Sequence, residues 1–473
     1  MTRVRFEYLT ESDRQFFHAQ VVRVLEEVGV AYNTPTLTAL LAEAGARVDA
    51  EQLTVKLPWG LVERCLAQVP DEVFLAGRDP AYDCRVGAGG MLYTSDGAAT
   101  YMLDDVTGER HEGTRDDLRR MITLYDAIPE IDFVWATITP GDVDPRAGNL
   151  EIARTAYAHG RKHLQDEVRV PDQAPVFVEM LEAIAGAPLR ERPIYSVTNC
   201  TIAPLQHDRE MTEAHIALAK AGVPIFVLPM PQMGTTGPMS VLGTSILNMA
   251  EMLSAVVIFQ LAAPGCAMVS GVGSAVAEMR SGLYLSGTPE DALINVMCIE
   301  MSRHYGLLNQ GSGVSCDAKA CNLQAGAEGM MTGLACAMAG CDVLLAFGLM
   351  DSAQTASLAK AVLDADTVNA IERFLRDDPV DPSTALFADI AEVGIGGHYL
   401  ARKSTRQMYR AGELWQPRLW QRQPFEQHAG TSLVEEAAAR AEELIATNDV
   451  PPLPEDVARH VDDLIAGYLR SKG

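Results

Sequence analysis

The sequence predicts an α/β fold built on a parallel sheet. Two observations carry this. Seven short apolar runs of strand length alternate with helix-length segments from residue 132 onward. Polar and glycine-containing clusters then follow four of those runs in succession, as ligand-binding loops do at the carboxyl edge of such sheets. The strand-like runs are 132–139, 162–167, 193–200, 224–230, 267–273, 306–313 and 341–349. The helical stretches lie near 148–159, 173–185, 208–221, 240–262, 288–305, 323–339 and 358–376. An eighth strand would close a barrel. Its source is either the hairpin-like region before residue 115 or the stretch after residue 380. An open doubly wound sheet fits the same alternation, but no dinucleotide glycine fingerprint follows any strand.

The flanks read differently. Thr10 with Asp13 is a capping pair for a first helix, which Gly29 stops. Thr34-Pro35 opens a second helix and Pro58 a third. Between 71 and 115, short runs such as VFLAG, GMLYTS and ATYML read as small hairpins, and Thr114 caps a helix to about residue 127. At the other end, 431–447 and 454–470 each carry one apolar stripe at helical spacing around the linker NDVPPLPED.

Composition bounds the function. The chain has 473 residues and a formal net charge of −25. That balance argues against nucleic acid as the main partner, because phosphate binding relies on excess Lys and Arg. Nine cysteines without regular spacing are not a disulfide framework, so a cytoplasmic setting is expected. The N-terminus has no apolar signal core, and the most apolar stretch, 255–266, is too short to span a bilayer.

Four clusters are candidates for a site. Asn199-Cys200-Thr201 follows the third run. MPQMGTTGP follows the fourth; its Gly234 and Gly237 permit close backbone approach, and Gln232, Thr235 and Thr236 offer polar groups. After the fifth come Glu278 and Arg280, with Thr288-Pro289 as a helix start. After the sixth comes SCDAKACNLQAGAE, with Asp317, Lys319, Gln324 and Glu328. Each cluster alone also fits a capped structural loop. Asp317 with Lys319, and Glu278 with Arg280, also fit simple ion pairs. Cys316, Cys321 and His304 match no common zinc spacing, so no metal is expected. Lys319 as a Schiff-base lysine would make the chain a lyase or aldolase.

The order PMPQMGTTGPMSVLGTSILNMAEML, AEMRSG with GTPE, then CDAKACNLQAGAE resembles the trimethylamine methyltransferase family. The likeness extends from HAQVVRVLEEVGV to VGIGGHYLARKSTRQMYR. It implies a TIM-type (β/α)8 barrel with an N-terminal helical and hairpin extension (1–130), a barrel domain (131–430) and a C-terminal helical tail (431–473). It implies transfer of a methyl group from an amine to cobalamin carried by a separate corrinoid protein, and a homo-oligomer. Archaeal trimethylamine enzymes of the family contain pyrrolysine. This chain does not, and resembles the branch that includes enzymes acting on glycine betaine and other quaternary amines. A quaternary nitrogen has no lone pair to engage an imine, and its amine leaves neutral without a proton. Asn322 and Gly329 stand where an acidic and a basic residue are expected.

A cationic substrate suits aromatic faces, at about 0.5–2 kcal/mol per contact. Tyr93, Tyr101, Trp135, Tyr195, Tyr305 and Phe347 are the candidates. Asn199, Gln310, His163 or Arg280 would receive a substrate carboxylate. The expected substrate residues are therefore Asn199, Gln232, Glu278, Gln310, Phe347, Tyr93 and Tyr101. The expected barrel-mouth, corrinoid-facing set is Gly234, Thr235, Thr236, Arg280, Asp317, Lys319, Gln324 and Glu328. A tertiary amine or another methyl donor is the alternative substrate, and a non-catalytic betaine-binding barrel the alternative class.

Overall fold

A computed structural model describes residues 5–32, 34–49, 51–427 and 430–473. The expected signal-free N-terminus begins in residues 1–4, outside that range.

Eight parallel strands close into a ring in sequence order. They are β1 (Leu92–Ser95), β2 (Phe133–Trp135), β3 (His163–Asp166), β4 (Tyr195–Ile202), β5 (Ile225–Leu228), β6 (Met268–Gly271), β7 (Asn309–Ser312) and β8 (Val343–Ala346). Each pairs in parallel with its neighbours, and β8 pairs with β1 through Val343↔Leu92 to Ala346↔Ser95. All seven expected strands are present, and each is trimmed at one or both ends.

The eighth strand comes from the hairpin region, since GMLYTS contains β1. The division expected at 130/131 therefore moves: the barrel begins at Leu92, and the helix capped by Thr114 is its first helix. A strand of four residues between turn signals carries no mark of whether it pairs locally or across the molecule.

Eight helices follow the strands: α1 (Arg115–Ala127), α2 (Gly148–His159), α3 (Ala174–Ala185), α4 (Arg209–Ala221), α5 (Val241–Ala262), α6 (Pro289–His304), α7 (Leu323–Ala339) and α8 (Leu358–Leu375). Their starts are chemically explicit. Thr114, Asp208, Ser240, Thr288, Asn322 and Ser357 each accept a hydrogen bond from a backbone N–H of the first turn. Asn322, which breaks the expected acidic pattern, is thus the cap of α7.

The apolar segment expected over 255–266 is the end of α5. This helix has the length and hydropathy to cross a membrane, but most of it is buried inside the protein. It packs against Glu11–Arg23, Trp59–Leu66 and α6. The N-terminal layer therefore covers one flank of the barrel. Leu433–Thr447 packs on α8, and Glu455–Ser471 packs on α3, through Ala437 and Ala441 and through Val461, Ile465 and Tyr468.

The lumen is filled in layers, as alternation along each strand requires. Phe133, Phe226, Val269, Leu308 and Val343 form the lowest layer, sealed from below by the hairpin Val73–Leu75/Cys84–Val86. Two residues further along the strands stand Thr94, Gln165, Thr198 and Gln310, all buried. Above them Trp135, Leu228, Leu345 and Cys200 form an apolar floor to the mouth.

Candidate functional site

The upper end of the barrel gathers carboxylates over that floor. Asp96 follows β1, and burial raises its carboxyl to about 6, although Gly97 N–H donates to it at 2.8 Å. Glu167 follows β3 and is buried; it accepts from Arg169 Nε at 2.7 Å and lies 3.8 Å from Cys200 Sγ. Asp291 stands in the first turn of α6. Burial, reinforced by the nearby Asp317 charge, holds its carboxyl well above the usual range, and its Oδ2 meets no partner within the described residues. Asn295 joins it to the mouth: its amide donates to the Asp291 carbonyl at 3.1 Å, and its oxygen accepts from Ser312 N–H at 2.9 Å.

Tyr284 leans across this group and donates to the Gly273 carbonyl at 3.0 Å. Burial, then the charges of Asp291, Asp96 and Asp317, keep its phenol protonated. Three carboxylates therefore act on one aromatic hydroxyl from the ends of different strands, which places them around a common space. Two aromatic rings, Trp135 below and Tyr284 beside, complete a surface suited to a compact cation.

Trp135 is held by a close approach. A Cβ on Gly97 would fall 2.2 Å from the indole nitrogen. Gly97→Ala should therefore tilt the ring out of the floor. The expected result is a folded protein with at least ~10-fold weaker substrate binding, read by calorimetry with tryptophan fluorescence reporting the ring's displacement.

The opening cluster of the sequence analysis serves as a fastening. Asp317 accepts from Ser286 N–H at 2.8 Å, Gly287 N–H at 3.2 Å and Ser352 Oγ at 2.7 Å. Its own N–H donates to Glu328 at 2.8 Å, and Gln324 donates to the other Glu328 oxygen at 2.8 Å. The loops after β6, β7 and β8 are tied together at the mouth in this way. The Asp317–Lys319 pair is not formed: Lys319 is exposed and pairs with Asp351. That surface position gives the Schiff-base reading no support.

Several expected residues lie elsewhere. Asn199 faces outward and bonds His215 of α4 at 3.0 Å. Tyr93 also faces outward and donates to Glu372 of α8. Tyr101 is covered by the Arg110 guanidinium, 4.1 Å from the ring centre. Phe347 sits at φ 60° and belongs to the large outer core. Tyr195 packs on Phe177, and Tyr305 lies beside His18 and His304 in the N-terminal layer. His163 is at the barrel base, bonded to Ala76, Pro193 and Ser196, with burial pushing its imidazole down to about 3. The common cause is strand parity: one residue's shift along a strand turns a side chain from lumen to helix layer. Trp135 and Gln310 keep lumen positions, and the Gln310 amide meets no partner within the described residues.

The remaining loop residues shape the rim. Gln232, Gly234, Thr235 and Thr236 form a tight turn in which the Gln232 carbonyl accepts from Thr235 and Gly237, and Thr236 Oγ accepts from Gln232 N–H. Glu278 accepts from Arg280 N–H at 3.1 Å, a turn contact and not a side-chain ion pair; Arg280 is exposed. Met239 and Met279 converge over Gly234, where a Cβ would meet both sulfurs at 2.9 Å. Among the described residues no group of three His, Cys, Asp or Glu could hold a metal ion. Cys316 and Cys321 lie near the β8 loop, far from the ring contacts of His304.

Over residues 2–472 the chain matches the family described as trimethylamine methyltransferase (MTTB). The chain belongs to that family. Trimethylamine methyltransferase MttB of Desulfitobacterium hafniense is 28% identical over 398 residues, 83% of this chain and 80% of the relative. Trimethylamine methyltransferase MttB2 of Methanosarcina mazei is 27% identical over 472 residues, 98% and 95% of the two chains. A glycine betaine methyltransferase of Desulfitobacterium hafniense is 26% identical over 475 residues, 99% and 98%. The crystal structure of the Methanosarcina barkeri monomethylamine methyltransferase (MtmB) superposes with a TM-score of 0.52 at 12% identity, covering 99% of this chain and 89% of that one. That likeness shows the barrel fold. As a member of the family, this protein is a methyltransferase.

The sequence reading missed Asp96, Glu167, Asp291 and Tyr284. A signal existed for the first two: each is an acid directly after a strand, in TSDG and LQDE. Asp96 was hidden because its strand read as a hairpin. Tyr284 and Asp291 reach the mouth from a loop and a helix start, positions that no periodicity marks.

Proposed function

We propose that this methyltransferase takes an N-methyl group from a quaternary amine of the glycine betaine type and passes it to cobalamin on a separate corrinoid protein, in the cytoplasm. The observation that carries the substrate class is the mouth itself: Asp96, Glu167 and Asp291 around Trp135 and Tyr284, with no lysine and with Arg169 engaged by Glu167. Such a surface attracts a cation that has no N–H to donate, because ring faces and field need no hydrogen bond. The absence of pyrrolysine and the glycine betaine methyltransferase relative support the same class. The nine free thiols support a reducing compartment.

The rim fits a carrier protein that presents a large planar group. Met239, Met279, Leu283 and Leu323, all from loops after β5, β6 and β7, are strongly exposed around the opening. Exposed apolar side chains in such a ring are a landing surface. Thr235, Thr236 and Arg280 add polar contacts beside them. The corrinoid supplies the nucleophile that accepts the methyl.

This chain's residues do the rest by position and field. Trp135 and Tyr284 hold the ammonium head so that one N–CH3 bond points out of the mouth. Asp96 and Glu167 stabilise the positive charge in the bound substrate. As that bond breaks, its electron pair stays on nitrogen and the tertiary amine leaves neutral, so no acid is needed. Gln310, below the floor, is the lumen group able to donate to a substrate carboxylate.

The test is a spectrophotometric assay with the protein, cob(I)alamin and a panel of quaternary and tertiary amines. The expected result is growth of the methylcobalamin band with a quaternary amine. Turnover confined to trimethylamine would replace the substrate class. Amine binding by calorimetry without any methyl loss would reduce the protein to a binding barrel.

A further inference from the structure

A lobe at residues 379–412 stands apart from everything the barrel requires. It leaves the end of α8 and returns at Glu413, and its base is closed by Arg373 and Arg376, which pair with Asp378 and Glu413. Within it are the helices Pro382–Ala385, Phe387–Val393 and Lys403–Arg410. Arg402 pairs with Asp389 and Glu392 and Ser404 bonds Asp389, so the lobe has its own polar framework. Asp381 caps its first helix. No residue from 379 to 412 is buried.

Despite this, the lobe is rich in large apolar side chains. Val380, Phe387, Ile390, Ile395, Tyr399, Leu400 and Tyr409 are all exposed, and Val380 and Ile395 are fully so at 102% and 108%. Seven such side chains expose roughly 800 Å² together, about one partner's share of a standard protein interface. Single exposed apolar residues need no explanation, but a contiguous set on a pre-ordered element does.

The charge pattern says what covers it. The lobe holds four Lys and Arg against three Asp and Glu, on a chain whose net charge is −25. Arg402 satisfies two of the acids internally. Lys403, Arg406 and Arg410 recur at helical spacing on Lys403–Arg410 and have no ion pair among the described residues. A basic, apolar lobe on a strongly acidic body is complementary to another copy of that body.

We infer that the 379–412 lobe docks on a second copy of this chain, its apolar residues forming the centre of the interface and Lys403, Arg406 and Arg410 its charged edge. A reciprocal pair of lobes related by a two-fold axis would bury both sets at once. The lobe is preformed by its own ion pairs, so little ordering entropy opposes docking.

The experiment is light scattering coupled to size exclusion on the full-length protein at about 10 µM. Wild type should show at least twice the chain mass of 51.1 kDa. Ile395→Asp with Leu400→Asp should shift it to the chain mass with unchanged far-UV circular dichroism. Lys403→Glu with Arg406→Glu and Arg410→Glu should do the same by a separate route, and the wild-type assembly should weaken as salt rises. A monomeric wild type overturns the inference. So does an assembly that survives both variants. If wild type is monomeric and the variants lose only methyl delivery to a corrinoid protein, the lobe belongs to that partner instead.

Discussion

Asp96→Asn is expected to raise KM for a quaternary amine on the order of 10- to 30-fold, with kcat changed by no more than about twofold. A carboxylate a few ångströms from an ammonium, partly screened, is worth ~1.4–2 kcal/mol. That stabilisation belongs to the ground state, because the charge on nitrogen fades as the C–N bond breaks. Removing it therefore costs binding and spares the chemical step. The wild-type pH profile should carry the same signature. Burial raises the Asp96 carboxyl to about 6, so kcat/KM should fall about tenfold per unit below pH 6, and the Asn variant should lose that limb.

The same substitution should stabilise the fold. A carboxyl whose folded pKa is raised contributes stability that is present below its ordinary value near 3.8 and is lost as pH rises through about 6. At pH 7.5 the ionised Asp96 is thus a cost, on the order of 1–2 kcal/mol once partial solvent access is allowed for. Asp96→Asn should gain that amount at pH 7.5 and little at pH 4, read from denaturant midpoints. An unchanged KM and an unchanged pH profile together would remove Asp96 from the substrate's surroundings.

Asp364→Ala is expected to cost about 3–5 kcal/mol of stability. Lys360 and Asp364 lie one turn apart on α8, 3% and 4% exposed, with Nζ 2.5 Å from the carboxylate. The second Asp364 oxygen accepts from Gly348 N–H at 2.9 Å, and Lys360 reaches the Val314 carbonyl at 3.4 Å. The pair therefore pins the chain after β7 and after β8 to the last barrel helix. Truncating Asp364 strands a buried ammonium and leaves Gly348 N–H unpaired. Lys360→Met with Asp364→Leu should recover much of the loss, because it removes both charges together. Urea denaturation of the three proteins decides this. A cost below about 1 kcal/mol for Asp364→Ala would mean that water reaches the site and the pair contributes little.

Much of the architecture was legible in the chain, and for stated reasons. Thr114, Asp208, Ser240, Thr288 and Ser357 mark helix starts because side-chain oxygens there satisfy N–H groups that the helix leaves open. The buried strands read as apolar runs because helices cover one face and the lumen the other. The family was legible in the loops after β5, β6 and β7, whose residues are held by turn geometry and by the Asp317 fastening.

The site was less legible. Loops after strands pointed to the correct end of the barrel, but Tyr93, Asn199 and Phe347 turned away from it. In a strand buried on both faces, apolar and polar residues occur on either side, so composition does not reveal parity. Asp96 was invisible until β1 was found to close the ring between β8 and β2, a pairing across some 250 residues of chain. Local pattern therefore determined the elements, their order and their caps, which depend on contacts within one turn or one strand. Only the tertiary structure decided which side chains meet over Trp135, because ring closure and strand register are properties of the whole sheet.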